Sequence, residues 1–557
     1  MEETMPNRLR ILCAFLSTLI LLAVAAPGVR ADQPKLVVFI TVDQLRGDMP
    51  WRFKDRFGEG GFKYLLEKGV AYTNANFRHS TTFTAVGHAS LATGGNALQH
   101  GLAGNDWHDF ATGKQIYCVE DDRHTLIGKE PKAHAGMSPR NLTSSSFGDE
   151  VVLATGGKSR VFSVSIKDRG AILPGGHLGK AYWYSSSSGQ FVTSTYYASE
   201  YPAWVTAWNK AGHAAAYKDK AWDLLHDRST YIFADRDDEP WEKSYKKLGR
   251  TFPHALGNED EKAFNAGLRF TPMGDELTLA FVKELMDQEK LGSGPTTDVL
   301  AVSFSVTDYI GHAFGPDSLE AEDNLLRLDR TLADFFAFLD KKHGLDNVVI
   351  ALSSDHGIDS VPERALDSGL AAGRHRPKDF IATVNEGLKK RFKIQEDLVM
   401  VFWNPSLYLD PDAVSRAGLE IETVEAALRE EILKVPGVRF AVTRTDLLKG
   451  NVTSEPMHAK LQLSFHPTRS GHVLFVQDVG WYLYPKPDEF AAMHGTPYTM
   501  DTYVPVLFAG HKIQHKIVDR EVAPEDVAST ITTYLGIKPP TGSTGTALVE
   551  VLAGLRD

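Results

Sequence analysis

Five short, almost unbroken apolar runs constrain this chain more than any other feature. They span Leu36 to Val42, Val161 to Ile166, Val299 to Val306, Val348 to Leu352 and Val504 to Gly510. Each is too short for an isolated helix and lacks the polar alternation of a half-exposed strand. Such runs read as strands buried on both faces, which is the pattern of a parallel sheet. Four of them close on charged residues: Asp43, then Lys167-Asp168-Arg169, then Asp308, then Asp355-His356. The last run contains Pro505, which has no amide proton for a ladder, so it is expected at a sheet edge.

Helical patterns lie between the runs. One begins near Gly61, and the clearest covers about 318–342, with Leu325, Leu328, Leu332, Phe335 and Leu339 as its apolar stripe. Asp317 is expected to cap it with Glu320 as the reciprocal partner, and Gly344 to end it. Alternating strand and helix gives an α/β fold: a doubly wound, mostly parallel sheet flanked by helices. Ligands of such sheets bind beyond the carboxyl ends of the strands, where the charged residues fall. Two long segments break the alternation, at about 170–275 (rich in Tyr, Trp, Ser and Gly) and about 365–490. Both are expected to be insertions capping that edge.

Residues 1–31 read as a cleavable secretory signal. Arg8 and Arg10 precede an uncharged run from Ile11 to Ala26, Pro27-Gly28 break it, and Val29-Arg30-Ala31 offers small residues at a cleavage site. The run has 16 residues, short of the roughly 20 that span a bilayer, and a retained anchor is the alternative. A secreted or periplasmic protein follows. Net charge is −11, which gives no reason to expect nucleic acid as a bulk partner. Of two cysteines, Cys13 lies in the apolar run and Cys118 is then alone, so a metal would have to use His, Asp and Glu.

Those residue types gather where the sheet would end. Asp43, Asp308 and Asp355 stand with His312, His356 and His494 at strand ends or in loops. A strand-terminal aspartate often only caps the next helix, and a lone His-Gly is often a turn. Jointly, three carboxylates at one edge would repel one another unless cations were present. Oxygen and imidazole donors without thiolate suit catalytic zinc, with manganese as a second option. Two such ions suit phosphoryl or sulfuryl transfer. Thr84 opens the small-residue helix Thr84–Thr93, which stops at Gly94-Gly95, and is expected to be its N-cap. It is also the candidate nucleophile. Asn105, Lys167 and Arg169 are candidates to hold the non-bridging oxygens of a phosphoryl group.

Thr41-Val42-Asp43, Thr84-Ala85-Val86-Gly87-His88, Asp308-Tyr309-Ile310-Gly311-His312, Ser354-Asp355-His356-Gly357 and His494-Gly495 occur in the order of the motifs of the alkaline phosphatase superfamily. The chain resembles the branch shared with type I phosphodiesterases and nucleotide pyrophosphatases, from Leu36 to the C-terminus. The resemblance is greatest to periplasmic, phosphate-irrepressible alkaline phosphatases, in which a Lys-x-Arg pair and an Asn contact the phosphoryl group. It implies a single catalytic domain over 32–557. It implies one zinc held by Asp308, His312 and His494, and a second held by Asp43, Asp355 and His356 with Thr84 upon it. The implied activity is hydrolysis of small-molecule phosphate monoesters through a phosphothreonine. A phosphodiesterase on the same core is the alternative, as is a secreted binding protein without turnover. The physiological ester and the oligomeric state are left open.

Overall fold

The computed structural model describes residues 33–555 apart from 130–134, 246–247, 258–259, 452 and 485–486. The proposed signal segment and Cys13 lie outside the described residues. A nine-stranded sheet runs through the molecule. Its strands are β1 (Leu36–Val42), β2 (Val70–Tyr72), β3 (Val161–Ser165), β4 (Lys180–Ser185), β5 (Gln190–Val192), β6 (Asp298–Phe304), β7 (Val348–Ser353), β8 (Val506–Gly510) and β9 (Lys516–Val518). The spatial order is β9-β2-β8-β7-β1-β6-β3-β4-β5. The block from β7 to β4 is parallel, and the C-terminal ends of β7, β1, β6 and β3 therefore share one edge.

The apolar runs follow from this burial. Every residue of β1 is buried, and its side chains alternate between two cores. Val38, Ile40 and Val42 enter one core together with Leu325, Leu328, Leu332, Phe335 and Leu339 of the helix Leu319–His343. Val37 and Phe39 enter the other with Val527, Ile531 and Tyr534 of the helix Asp526–Leu535. At roughly 1.5–3 kcal/mol for each fully buried large aliphatic side chain, both faces select against polar residues, so no alternation survives.

Three local expectations need correction. β8 is no edge strand: it pairs antiparallel with both β7 and β2. Pro505 precedes the first strand residue, so no ladder bond is lost. The long helix is capped by Ser318, whose hydroxyl accepts from Ala321 N, while Asp317 takes salt bridges to Arg52 and Arg364 instead. Gly344 does end it. The segment 170–275 is not wholly an insertion. Its aromatic stretch Tyr182-Trp183-Tyr184 is β4, paired in parallel with β3, so the departure from the sheet comes after Val192. Within 365–490 a four-stranded antiparallel sheet (Val399–Trp403, Ser406–Leu409, Val473–Gln477, Val438–Thr443) packs with the helices Pro377–Phe392 and Ile421–Ile432 around an apolar core of its own.

Candidate active site

The charged strand ends converge. Asp43 follows β1, Asp355-His356 follow β7, and Lys167 follows β3. Asp308 and His312 lie on the short helix Val306–Phe314 after β6. They are not in a loop, as expected, because the i, i+4 spacing puts both on one helix face. Asp308 Oδ1 lies 3.4 Å from His312 Nε2 and 3.7 Å from His494 Nε2. Asp43 Oδ1 lies 3.6 Å from His356 Nε2.

Two sets of ligand atoms each fall within 4.8 Å of one another: Asp308, His312 and His494, and Asp43, Asp308 and His356. The first is the set the resemblance implies. The second differs from it, with Asp308 standing where Asp355 was expected. The Asp355 carboxylate is drawn to local donors. Oδ2 lies 3.1 Å from His88 Nδ1, and Oδ1 accepts from the backbone of Gln44 at 3.1 Å. It still lies 3.4 Å from His356 Nε2.

The imidazoles are oriented for ligation. Nδ1 of His312, His356 and His494 faces the carbonyl oxygens of Ala492, Gly357 and Thr82 at 2.8, 2.9 and 2.6 Å. A carbonyl can only accept, so each Nδ1 carries the proton and each Nε2 keeps its lone pair for the carboxylate cluster. Burial, then the neighbouring His356 and His312, push the His494 pKa well below the ordinary value, and burial lowers that of His356. The rings of His356 and His494 stack with centroids 3.6 Å apart, which suits neutral imidazoles.

Three buried carboxylates face one buried cation. The Lys167 ammonium sits between Asp43 Oδ2 (2.9 Å) and Asp308 Oδ2 (2.5 Å). Burial opposes its charge, but Asp308 and Asp43 outweigh burial and hold its pKa above the usual lysine value. Burial would raise Asp308 as well, yet Lys167 and His312 keep it well below the carboxylate range. Asp43 goes the other way: burial and then repulsion from Asp355 push it well up. Asp43 Oδ1 has no hydrogen-bond partner among the described residues, while Asp43 Oδ2 has only the Lys167 ammonium at 2.9 Å and Asp355 Oδ2 only the His88 ring at 3.1 Å. Buried carboxylates this short of donors, beside three Nε2 lone pairs, form a donor set that fits divalent cations.

Thr84 is buried at this cluster, with Oγ1 3.4 Å from His356 Nε2 and accepting from Arg169 Nη2 at 3.3 Å. It is not the N-cap. Phe83 holds that position in extended conformation, and Thr84 is the first helical residue. The cap comes from far along the chain, because Asn105 Oδ1 accepts from Ala85 N at 2.9 Å. The Thr84 hydroxyl is thereby left for the cluster. Arg169 is aimed by Tyr117, whose hydroxyl accepts from Nη1 at 3.3 Å and donates to Asp168 at 2.7 Å. Beside Asn105 a cavity of about 100 Å³ opens between Phe83, Phe402, Trp403 and Tyr484.

Four further contributors were not singled out as site residues from the sequence. Gln44 adopts a left-handed φ of 71°, rare for a residue with a side chain, and donates from Nε2 to Asp308 Oδ1 at 3.0 Å. Its amide and side chain thus hold two carboxylates of the cluster, Asp355 and Asp308. His88 links Asp355 to Ser303 Oγ at 2.9 Å, and Ser354 Oγ donates to the His356 carbonyl at 2.7 Å. At Gly87 an added Cβ would stand 1.9 Å from the Asp355 carbonyl oxygen, so the Thr84 helix meets that loop backbone to backbone. The signal available at Gly87 was its place in a small-residue helix three positions after Thr84.

Beyond the carboxyl ends of the parallel strands a threonine hydroxyl, three carboxylates and three imidazoles converge, the arrangement of a metal-dependent hydrolase. The chain belongs to the type I phosphodiesterase / nucleotide pyrophosphatase family, whose profile matches residues 37–497. It is similar to the alkaline phosphatase PhoV of Synechococcus elongatus, 36% identical over 93% of this chain and 93% of that one. It is 35% identical to a protein of Myroides odoratus named calcium-transporting ATPase, over 97% and 98% of the two chains. The crystal structure of the alkaline phosphatase PafA superposes with a TM-score of 0.87 at 34% identity, covering 94% of this chain and 99% of that one. A solved variant of PafA is substituted at one Thr, one Asn, one Lys and one Arg.

Proposed function

We propose that this chain is an alkaline phosphatase, a hydrolase of small-molecule phosphate monoesters that acts through a phosphothreonine at Thr84 after secretion to the periplasm or beyond. The observation that carries this reading is the buried Thr84 hydroxyl, held by Arg169 at 3.3 Å beside a cluster of buried carboxylates short of donors. PhoV and PafA bear the name alkaline phosphatase and align over nearly the whole chain. The four residue types substituted in the PafA variant have the order and spacing of Thr84, Asn105, Lys167 and Arg169. Among the described residues no helix is long and apolar enough to cross a membrane.

Asp308, His312 and His494 would hold one divalent cation, and Asp43, Asp355 and His356 with Thr84 a second. Both are proposed to be zinc, with manganese as the other option. Bound there, such ions supply positive charge to the attacking and leaving oxygens. The chain's own groups do the rest. Thr84 Oγ1 forms the new bond to phosphorus in line with the ester oxygen, whose bond to phosphorus breaks. Water then cleaves the phosphothreonine. Arg169, oriented by Tyr117 and Asp168, binds non-bridging oxygens, and Asn105 offers its Nδ2 donors from the same side. Lys167, freed from the carboxylates once other cations neutralise them, adds a further charge. A monoester dianion has one more charged oxygen than a diester, so the Lys167–Arg169 pair favours monoesters.

Turnover of p-nitrophenyl phosphate and bis-p-nitrophenyl phosphate by the wild type and Lys167→Ala tests this. The wild type should prefer the monoester in kcat/KM, and Lys167→Ala should lose on the order of a hundred-fold on it, with a smaller loss on the diester. A wild type that prefers the diester is a phosphodiesterase on this core. Acid quench and mass spectrometry should find phosphate on Thr84. A zinc-loaded chain that shows none at any pH is a binding protein.

A further inference from the structure

Apart from the catalytic cluster, the structure holds a cavity of about 620 Å³ whose wall carries Arg46, Arg52, Arg236 and Arg364 with only Asp48 and Asp317 as carboxylates. On a chain with net charge −11, four guanidiniums on one concave surface run against the overall balance. The two acids do not satisfy them. Arg46 grips both oxygens of Asp48, through Nε at 2.9 Å and Nη2 at 2.7 Å. Arg52 and Arg364 divide Asp317 between them, at 3.5 and 3.2 Å. Among the described residues Arg236 has no carboxylate partner, and its guanidinium donates to the Asp317 carbonyl at 3.3 Å. Asp359 is a further acid acting on Arg46, but its carboxylate accepts from the backbone of Ser360 and Gly480.

Each guanidinium offers five N–H donors in a planar fork, so most donors on this wall are unmatched by acceptors among the described residues. The fork matches phosphate oxygens in pairs. Two of the four are also held in place. The Cζ atoms of Arg52 and Arg236 lie 5.0 and 4.9 Å from the centroid of the Phe233 ring. That fixes their direction before any ligand arrives, which lowers the entropic cost of binding. Ser360 and Thr499 add hydroxyls to the lining. None of the lining residues belongs to the nucleophile, the metal-ligand set or the Lys167–Arg169 pair.

We infer that this cleft is an anion site outside the catalytic centre, taking a ligand with two or more phosphoryl groups. Its volume exceeds what one phosphate needs, and its surplus of guanidinium donors calls for more than one dianion.

Calorimetric titration with methylenediphosphonate, whose P–C–P bridge resists hydrolysis, tests the site. The zinc-loaded Lys167→Ala/Arg169→Ala protein, weakened at the catalytic centre, should still bind the probe. Adding Arg236→Gln and Arg364→Gln should weaken that event tenfold or more and reduce its salt dependence. Arg236→Gln alone, which removes no carboxylate pair, should give a several-fold loss with unchanged thermal unfolding. Turnover of p-nitrophenyl phosphate by Arg236→Gln should match wild type. Probe affinity that is equal with and without these arginines overturns the inference, as does a Lys167→Ala/Arg169→Ala protein that binds no probe. Neither result depends on which ester the enzyme hydrolyses.

Discussion

Asp43 and Asp323 are both fully buried carboxylates, and they could hardly be treated more differently by their surroundings. Asp323, on the helix Leu319–His343, receives Trp222 Nε1 at 2.6 Å, the Tyr231 hydroxyl at 2.5 Å, Leu225 N at 2.7 Å and Arg327 Nε at 2.7 Å. Asp43 has one donor among the described residues, the Lys167 ammonium at 2.9 Å from Oδ2, and none on Oδ1. Burial costs both anions their hydration. Asp323 recovers it from four donors and ties the segment around Trp222 to the long helix. Asp43 does not, and its raised pKa is the mark of that deficit. A buried acid with its donors complete serves the fold, while one left short is arranged for something that arrives later.

The contrast can be broken by substitution. Asp43→Asn should lower kcat/KM for p-nitrophenyl phosphate on the order of a thousand-fold, equal to about 4 kcal/mol of transition-state stabilisation. Thermal unfolding of the metal-stripped protein should be unaffected or shifted upward. A large fall in the unfolding temperature would mean that Asp43 is structural after all. Asp323→Ala should do the reverse. It strands three donors and the Arg327 charge, so urea unfolding should show a loss of about 3–5 kcal/mol. The folded fraction at 25 °C should retain wild-type kcat.

Gln44→Ala sharpens the comparison from the catalytic side. It deletes the bond to Asp308 without touching a reacting group, so metal affinity or activity should fall roughly 10–100-fold. Because the left-handed turn at position 44 would remain, Gln44→Glu should fail to rescue, whereas a merely structural role would tolerate it. The smallest effect is expected at Asp275, an intermediate case. Burial raises its pKa from 3.8 to about 8, with partial relief from the backbone of Val306. The folded state therefore holds a proton that the unfolded state releases. The stability this brings is complete below 3.8 and is lost as pH rises through about 8. Asp275→Asn should flatten the decline of unfolding temperature over that range.

The sequence disclosed the strand order least and the site most. Asp43, Asp308 and Asp355 were legible because a charge that ends a doubly buried strand has only the sheet's edge to occupy. The Lys167–Arg169 pair was legible for the same reason, and the five motifs supplied the rest. What escaped depends on contacts between distant segments. The cap of the Thr84 helix comes from Asn105, and Arg169 is aimed by Tyr117 across 52 positions. Local propensity favoured Thr84 as its own cap because hydroxyl side chains commonly fill that role. β8 was misplaced because a proline one residue outside a strand reads the same as one within it. The arginine cleft escaped because its four residues are scattered from 46 to 364 and meet only in the fold.

Gly87 has a consequence for how the catalytic geometry responds to heat and to drift elsewhere in the chain. Side chains that set a spacing can change rotamer, and the spacing then wanders. Here, at Gly87, the helix bearing Thr84 rests on the Asp355 carbonyl with no side chain in between, and an added Cβ would stand 1.9 Å from that oxygen. The closest approach of the Thr84 helix to the Asp355–His356 loop is therefore set by main-chain contact, like two machined faces closed on each other without a shim, with the His88 ring bound across the same joint at 3.1 Å. The main-chain part of such a joint cannot work loose by a change of rotamer. It confines tolerance to neighbouring substitutions to the groups that aim charge, and keeps it away from the distance over which phosphorus must travel.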